Sequence, residues 1–308
     1  MRASANARAA RVVSVGRDSA LIVFEDETVA RPASIRKRVP RIALAPGDLV
    51  VASDLGEGRA VVDERAERSF ALVRRTAGGR MKTMAANVES LGLVASFARP
   101  PISLPMIDEV LAFAELHDIR PLVIFTKPDL EEPERRTATA AMYAGLGYEV
   151  YLANPKSGEG MLEVTDALAH RRTLLIGQSG VGKSSLFRAL GGGGAIVGET
   201  SRSGRGRQTT TSARLHRFGD GFVIDSPGVG EFALQPSGPR PGHEWFAEVA
   251  SGFVEFRPRV AECRFTDCTH RVEPNCAIRS AVEAATIART RYESYLFIVT
   301  REVRNPTT

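Results

Sequence analysis

The sequence predicts a multidomain α/β protein, and three observations carry that prediction. Short apolar runs separated by turn residues fill the opening stretch. Apolar strands then alternate with amphipathic helical stretches through the middle. The last part reads as helical and holds every cysteine of the chain.

The opening stretch runs from about Arg11 to Arg68. Val12 to Gly16, Ala20 to Phe24, Leu49 to Ala52 and Ala60 to Val62 are its apolar runs, with turns at Pro46-Gly47-Asp48 and Gly56-Glu57-Gly58. Strands this short and this regular suggest a small barrel, with a single-sheet meander as the alternative. Arg31, Arg36, Lys37, Arg38 and Arg41 lie in one segment without an acid. On an OB-type barrel they would form a phosphate-contacting edge; otherwise they are a solvated loop. The first residues, MRASANARAA, read as a basic tail lacking the apolar core of a secretory signal.

From about Phe70 the periodicity changes. Leu91 to Ala95, Leu122 to Phe125, Tyr148 to Leu152, Thr173 to Ile176 and Phe222 to Ile224 read as buried strands. Met106 to His117, Thr137 to Ala144, Leu162 to His170 and Ser185 to Leu190 have helical spacing. This alternation predicts a mostly parallel sheet covered by helices.

The strand ending at Ile176 leads into Gly177-Gln178-Ser179-Gly180-Val181-Gly182-Lys183-Ser184-Ser185, a P-loop pattern between a strand and a helix. Its glycines let backbone N–H groups approach phosphate oxygens closely. Lys183 would reach the β- and γ-phosphates, and the Ser184 hydroxyl would bind Mg²⁺. Thr126-Lys127-Pro128-Asp129 follows another strand. A carboxylate at Asp129 can accept both the ring N–H and the exocyclic amine of guanine, a donor pair that adenine lacks. The Lys127 stem would cover the base. Asp225-Ser226-Pro227-Gly228 ends a third strand. Asp225 would hold Mg²⁺ through water, and the Gly228 N–H would meet the γ-phosphate. Between these motifs, Thr200 to Gly219 reads as a mobile Arg-rich loop in which Thr209 or Thr210 supplies a hydroxyl to Mg²⁺. Val229 cannot orient an attacking water, so that group must come from elsewhere.

Cys263, Cys268, His270 and Cys276 fall within fourteen residues. Three thiols and an imidazole suit one closed, tetrahedral, structural Zn²⁺ site. An odd number of cysteines, all in this segment, argues against disulfides and for a reducing cytoplasm. Arg257, Arg259, Arg264 and Arg271 flank the site and suggest a second RNA-facing surface. A net charge of +5 and a pI near 9.4 agree with an acidic partner. No apolar stretch is long enough to span a bilayer.

The base-reading element precedes the P-loop, the reverse of the usual order. With GQSGVGKSS, DSPGV, a Thr triplet and CRFTDCTHRVEPNC, the chain resembles the ribosome small-subunit-dependent GTPase A family (RsgA/YjeQ type) over nearly its whole length. Asn87-Val88-Glu89 is similar to the family's Asn-Val-Asp, and Asn154 to Gly160 loosely to its second base-contacting loop. Thr126 stands where Asn is usual. Gln208 stands where the family has a His linked to hydrolysis, so Gln208, Lys183 and Thr210 are the catalytic candidates.

The resemblance implies an N-terminal OB-fold β-barrel at 1–69, a circularly permuted P-loop GTPase domain at 70–240 and a C-terminal helical zinc-binding domain at 241–308. It implies a cytoplasmic, monomeric GTPase, stimulated by the small ribosomal subunit whose late maturation it assists, and contacting rRNA and other maturation factors. One rival is a GTP-dependent rRNA-binding placeholder with little hydrolysis. Another is a P-loop ATPase or kinase.

Overall fold

The structure is a computed structural model and describes residues 6–16, 19–36, 39, 44–75, 81–192, 213–225 and 242–304. The chain folds as two compact units. The first takes its described residues from Met1–Gly92, Pro155–Ile176 and Lys183–Gly228, and the second from Leu93–Asn154, Gly177–Gly182 and Val229–Thr308.

The first unit opens with β1 (Ala7–Val15), β2 (Ser19–Phe24), β3 (Arg31–Ile35), β4 (Leu49–Gly56) and β5 (Arg59–Arg65). They close into an OB-like barrel of order β1-β2-β3-β5-β4. The pleat sends every second side chain inward. Ala10 and Val12, Ala20, Ile22 and Phe24, Val50 and Ala52, and Ala60 and Val62 therefore share one core. Small and large residues alternate among them, which lets a narrow barrel fill without a void. Gly47 turns the chain into β4 at φ +92°, and a Cβ there would lie 2.1 Å from the Ala86 carbonyl oxygen, so only glycine fits.

Three expectations for this region change. Residues 7–10 belong to β1 rather than to a tail, with Arg8 bound to Asp26 and Glu27. Arg31 to Ile35 forms a strand, and Arg31 donates to Asp54 at 3.0 Å and to Glu27. Arg36 donates to Asp63. Two members of the proposed phosphate-contacting edge are thus engaged with the barrel's own carboxylates. Lys37, Arg38 and Arg41 lie outside the described residues.

A hairpin of β6 (Ala71–Arg75) and β7 (Met81–Ala86) follows the barrel. The first residues of β8 (Ser90–Ser96), with β11 (Arg172–Ile176), β13 (Gly221–Asp225) and β12 (Arg214–Phe218), then run in the order β8-β11-β13-β12. β11 and β13 are parallel, and β12 is antiparallel to β13. Arg214 and Arg217 therefore sit on an edge strand, not in the Arg-rich loop. Glu89 enters β8 and binds the start of β11, accepting from Arg172 N at 3.0 Å and Arg172 Nη2 at 2.6 Å. Helices α3 (Met161–Ala169) and α4 (Lys183–Phe187) complete the unit.

In the second unit the strand order is β10 (Glu149–Ala153), β9 (Arg120–Thr126), then the rest of β8, with β9 and β10 parallel. Leu122 to Thr126 are buried without interruption, as parallel strands covered on both faces require. Helices α1 (Leu104–Leu116) and α2 (Pro133–Gly145) each begin with proline in the first turn, where its missing N–H costs nothing. The C-terminal part holds α5 (Gly242–Ser251), α6 (Arg257–Val260), α7 (Ala277–Glu283) and α8 (Arg289–Arg304). Phe253, Phe256, Tyr295 and Ile298 form its core together with Ala112 of α1. No described helix is long and apolar enough to cross a membrane.

Candidate functional site: a glycine-rich loop, a strand-end corner and a Cys-His cluster

The P-loop leaves β11 and enters α4, as its sequence requires. Gly177 passes so close to β8 that a Cβ would lie 2.3 Å from the Val94 carbonyl oxygen. Gly180 and Gly182 adopt φ +83° and +101°, conformations strained for any residue with a side chain. Ser179, Gly180 and Ser184 are exposed, Gln178 and Ser185 are half-buried, and Val181 is buried. The helical stretch is Lys183–Phe187, followed by a π-type turn over Arg188–Gly192 in which Gly191 has φ +84°. The expected helix therefore starts earlier and ends sooner.

Lys183 and Asp225 face one another within the first unit. Their side chains are 9% and 13% exposed, with Nζ 3.8 Å from Oδ1. Burial lowers the Lys183 pKa, and Asp225 opposes that fall. Burial raises the Asp225 carboxyl, and Lys183 opposes the rise. Asp225 Oδ1 is buried without a hydrogen bond among the described residues. A buried ammonium and carboxylate held this loosely can separate toward different partners, the ammonium to phosphate and the carboxylate to hydrated Mg²⁺. The unsatisfied oxygen fits such an ion, which would neutralise phosphate charge when bound.

The corner formed by Thr126 to Asp129 lies in the second unit. Thr126 ends β9 and is fully buried. Lys127 has φ +54° and donates from Nζ to Gly180 O at 2.8 Å, Ala98 O at 3.3 Å and Arg99 O. Pro128 is buried and starts a single 3-10 turn, Pro128–Leu130. This turn presents Asp129 to solvent, and its Oδ1 accepts from Asn154 Nδ2 at 2.8 Å. The sequence reading noted the Asn154 segment but not this bond, because its partners lie 25 residues apart.

Cys263, Cys268, His270 and Cys276 converge in the second unit, with their donor atoms within 4.8 Å of one another. His270 Nδ1 is 3.6 Å from Cys263 Sγ and 3.5 Å from Cys276 Sγ. A tetrahedral zinc ion sets such sulfur and nitrogen ligands roughly 3.6 Å apart, so these residues fit it. Burial, then crowding by Cys276 and Cys263, pushes the Cys268 thiol up to about 12. To bind a metal these thiols would have to give up their protons, and a divalent cation among them would supply the charge that favours that loss. Glu273, which the sequence reading missed, braces the loop by accepting from Thr269 N at 2.9 Å, Arg271 N at 3.0 Å and Val272 N at 3.1 Å. From α8, Tyr292 donates to His270 O at 2.7 Å and Tyr295 to Thr269 O at 2.8 Å.

Gln208, Thr209, Thr210 and Gly228 lie outside the described residues.

A family model described as RsgA GTPase matches residues 65–235. The small ribosomal subunit biogenesis GTPase RsgA of Gemmatimonas aurantiaca is 37% identical over 298 residues, covering 92% of this chain and 94% of its own. The protein of the same name from Sodalis glossinidius is 38% identical over 265 residues, covering 82% and 74%. Among solved structures, YjeQ from Thermotoga maritima superposes with a TM-score of 0.75 at 27% identity, over 96% of this chain and 99% of that one. YloQ, described as a circularly permuted GTPase, gives 0.73 at 26% identity over 100% of both chains.

Proposed function

The chain belongs to the RsgA GTPase family, and from that premise we propose how its residues divide the work. It is a GTPase of small ribosomal subunit biogenesis, hydrolysing GTP to GDP and phosphate. The observation that carries the reading is Asp129: an exposed carboxylate at a strand end, held by Asn154, in the unit that also contains Gly177 to Gly182.

In this reading Asp129 accepts from the guanine edge, and Gly177, Gln178, Ser179, Gly180, Val181 and Gly182 wrap the phosphates. Lys183 neutralises charge developing between the β- and γ-phosphates. Ser184 and Asp225 hold Mg²⁺, with Thr209 or Thr210 adding a hydroxyl. Gly228 donates to the γ-phosphate, and Gln208 orients the attacking water. One structural zinc ion occupies the Cys263, Cys268, His270 and Cys276 cluster. Residues 1–69 form the barrel domain, 70–240 the GTPase domain and 241–308 the zinc domain. The protein works as a cytoplasmic monomer that contacts rRNA and other maturation factors, and docking on the subunit stimulates hydrolysis.

Turnover of GTP and ATP, each with and without small subunits, tests this function. GTP alone should be hydrolysed, faster with subunits present. Asp129→Asn exchanges an acceptor for a donor and should move preference toward xanthine nucleotides. Equal binding of ATP and GTP by the unaltered protein would overturn the role of Asp129.

A further inference from the structure

We propose that Asn87-Val88-Glu89 is a joint through which the barrel sets the position of β12 and β13 for subunit-stimulated hydrolysis, with Asn87 as its positioning residue. The functional half of the inference rests on the GTPase reading above.

Asn87 stands at φ +55°, a left-handed conformation that asparagine tolerates better than most residues with a side chain. It is 7% exposed, and its amide ties together two separate parts of the chain. Nδ2 donates to Gly47 O at 3.1 Å, in the barrel turn before β4. Oδ1 accepts from Ser69 N at 3.0 Å, in the link that leaves the barrel. Only an amide offers a donor and an acceptor in this way; a carboxylate would lack the donor. The backbone beside it repeats the tie, with Ala86 N donating to Pro46 O at 2.9 Å. Val88 is buried. Glu89 serves the sheet instead. Its N–H donates to Arg172 O at 3.0 Å, and its carboxylate accepts from Arg172 N at 3.0 Å. Arg172 opens β11, the strand that leads into the glycine-rich loop. Three consecutive residues thus hold the barrel on one side and a nucleotide-site strand on the other.

The barrel also braces the far edge of the sheet. Arg217 of β12 donates from Nη1 to Glu27 O at 2.9 Å. Arg11 of β1 lies 5.1 Å from the centre of the Phe222 ring in β13 and donates from Nη1 to Gly47 O at 3.2 Å. The Gly47 turn itself sits on β13, since a Cβ there would lie 3.2 Å from Ile224 Cδ1. The two braced strands frame the candidate catalytic groups. β12 begins at Arg214, four residues after Thr210, and Arg214 pairs in register with Asp225 at the end of β13. An edge strand has a sheet neighbour on one side only, so β12 depends on the barrel for its second support. A load placed on the barrel therefore reaches β12 through backbone ties.

Hydrogen exchange and turnover of the full chain test the joint together. Asn87→Gly removes the amide and tolerates the positive φ. Exchange should quicken in the Pro46 to Asp48 turn and in β12, and stay unchanged in β9 and β10. Maximal turnover with small subunits should fall about fivefold or more, in the ordinary range of coupling between sites. Basal turnover and the half-saturating subunit concentration should stay the same. If Asn87→Gly does not fold, Asn87→Asp decides, because it keeps the acceptor for Ser69 N and loses only the donor to Gly47 O. Unchanged exchange in β12, or unchanged stimulated turnover, overturns the joint. A fall in basal turnover, or a rise in the subunit concentration needed, overturns the positioning role in favour of folding or docking alone. Absence of stimulation in the unaltered protein overturns the GTPase reading instead, and exchange in β12 then still judges the joint.

Discussion

Glu273 gathers its donors from a single tight loop. Thr269 contributes its N–H and its hydroxyl, and Arg271 and Val272 contribute N–H groups. Burial works against the charge, but these hydrogen bonds outweigh it and bring the carboxyl down from 4.5 to about 2. A depressed carboxyl stabilises the fold above its unfolded pKa, and that contribution is lost as pH falls through the folded value. For Glu273 the window runs from 4.5 down to about 2. Glu273→Gln should therefore lower the melting temperature by a constant amount at neutral pH, with the gap to the unaltered protein closing across that acid window. A gap that persists at full size below the window would show that the charge is not what braces the loop. At this scale the sequence was legible where chemistry is local. Cys263, Cys268, His270 and Cys276 could be grouped because the chain brings them near one another. Asn154 and Asp129 meet only because β9 and β10 are neighbours in parallel register, Leu122 opposite Glu149. Thr126 could be placed in the Thr-Lys-Pro-Asp element from the sequence, but only its burial and its two carbonyl partners show where its hydroxyl is used.

Among the elements, the buried central strands were legible and the polar edge ones were not. β8 and β9 announce themselves as apolar runs. β12 reads Arg-Leu-His-Arg-Phe, and only Leu215 of it is buried. Its arginines placed it in a basic loop, whereas pairing with β13 makes it a strand. β3 carries an arginine and a proline, and β6 and β7 are held by each other rather than by an apolar pattern. Sheet pairing overrides propensity in each case. Helix α8 depends on a residue that its pattern does not explain. Arg291, 1% exposed, donates to Asp108 Oδ1 of α1 at 2.7 Å and grips Glu255 from Nε at 2.7 Å and Nη2 at 3.0 Å. Tyr143 of α2 donates to the same Asp108 oxygen at 2.8 Å. Burial opposes the guanidinium charge, but Asp108 and Glu255 overcome it and raise the Arg291 pKa above its usual value. Arg291→Met would strand two carboxylates and should destabilise the protein by about 3–5 kcal/mol in denaturant unfolding. Arg291→Lys should recover only part of that, because an ammonium cannot reproduce the planar fork. A cost below about 1 kcal/mol for Arg291→Met would place this network with exposed pairs of little consequence.

For the molecule as a whole, a net charge of +5 says that an acidic partner is favoured but not where it binds. The structure distinguishes two kinds of arginine. On the barrel, Arg11 pairs with Glu25 at 2.8 Å, Arg31 with Asp54 at 3.0 Å, and Arg36 with Asp63. To contact a phosphate, each must loosen a bond inside the protein, so little net counterion release follows. Beside the cysteine-histidine cluster, Arg264 and Arg271 are exposed and rest on aromatic rings, 5.4 Å from Phe265 and 5.2 Å from Phe246. Stacking holds the guanidinium in place without cancelling its charge, leaving it available to phosphate. Each phosphate neutralised by a free cation adds about 0.7–0.9 to the slope of log affinity against log salt. Binding to small subunits, titrated over a range of salt, separates the two groups. Arg264→Ala and Arg271→Ala should each lower the slope by roughly that increment and weaken binding most at low salt. Arg31→Ala and Arg36→Ala should leave the slope nearly unchanged, their cost appearing instead as lost barrel stability. If the barrel variants flatten the salt response and the cysteine-histidine-cluster variants do not, the basic face of the molecule is the barrel edge that the sequence first suggested, and its internal ion pairs exchange for phosphate on docking.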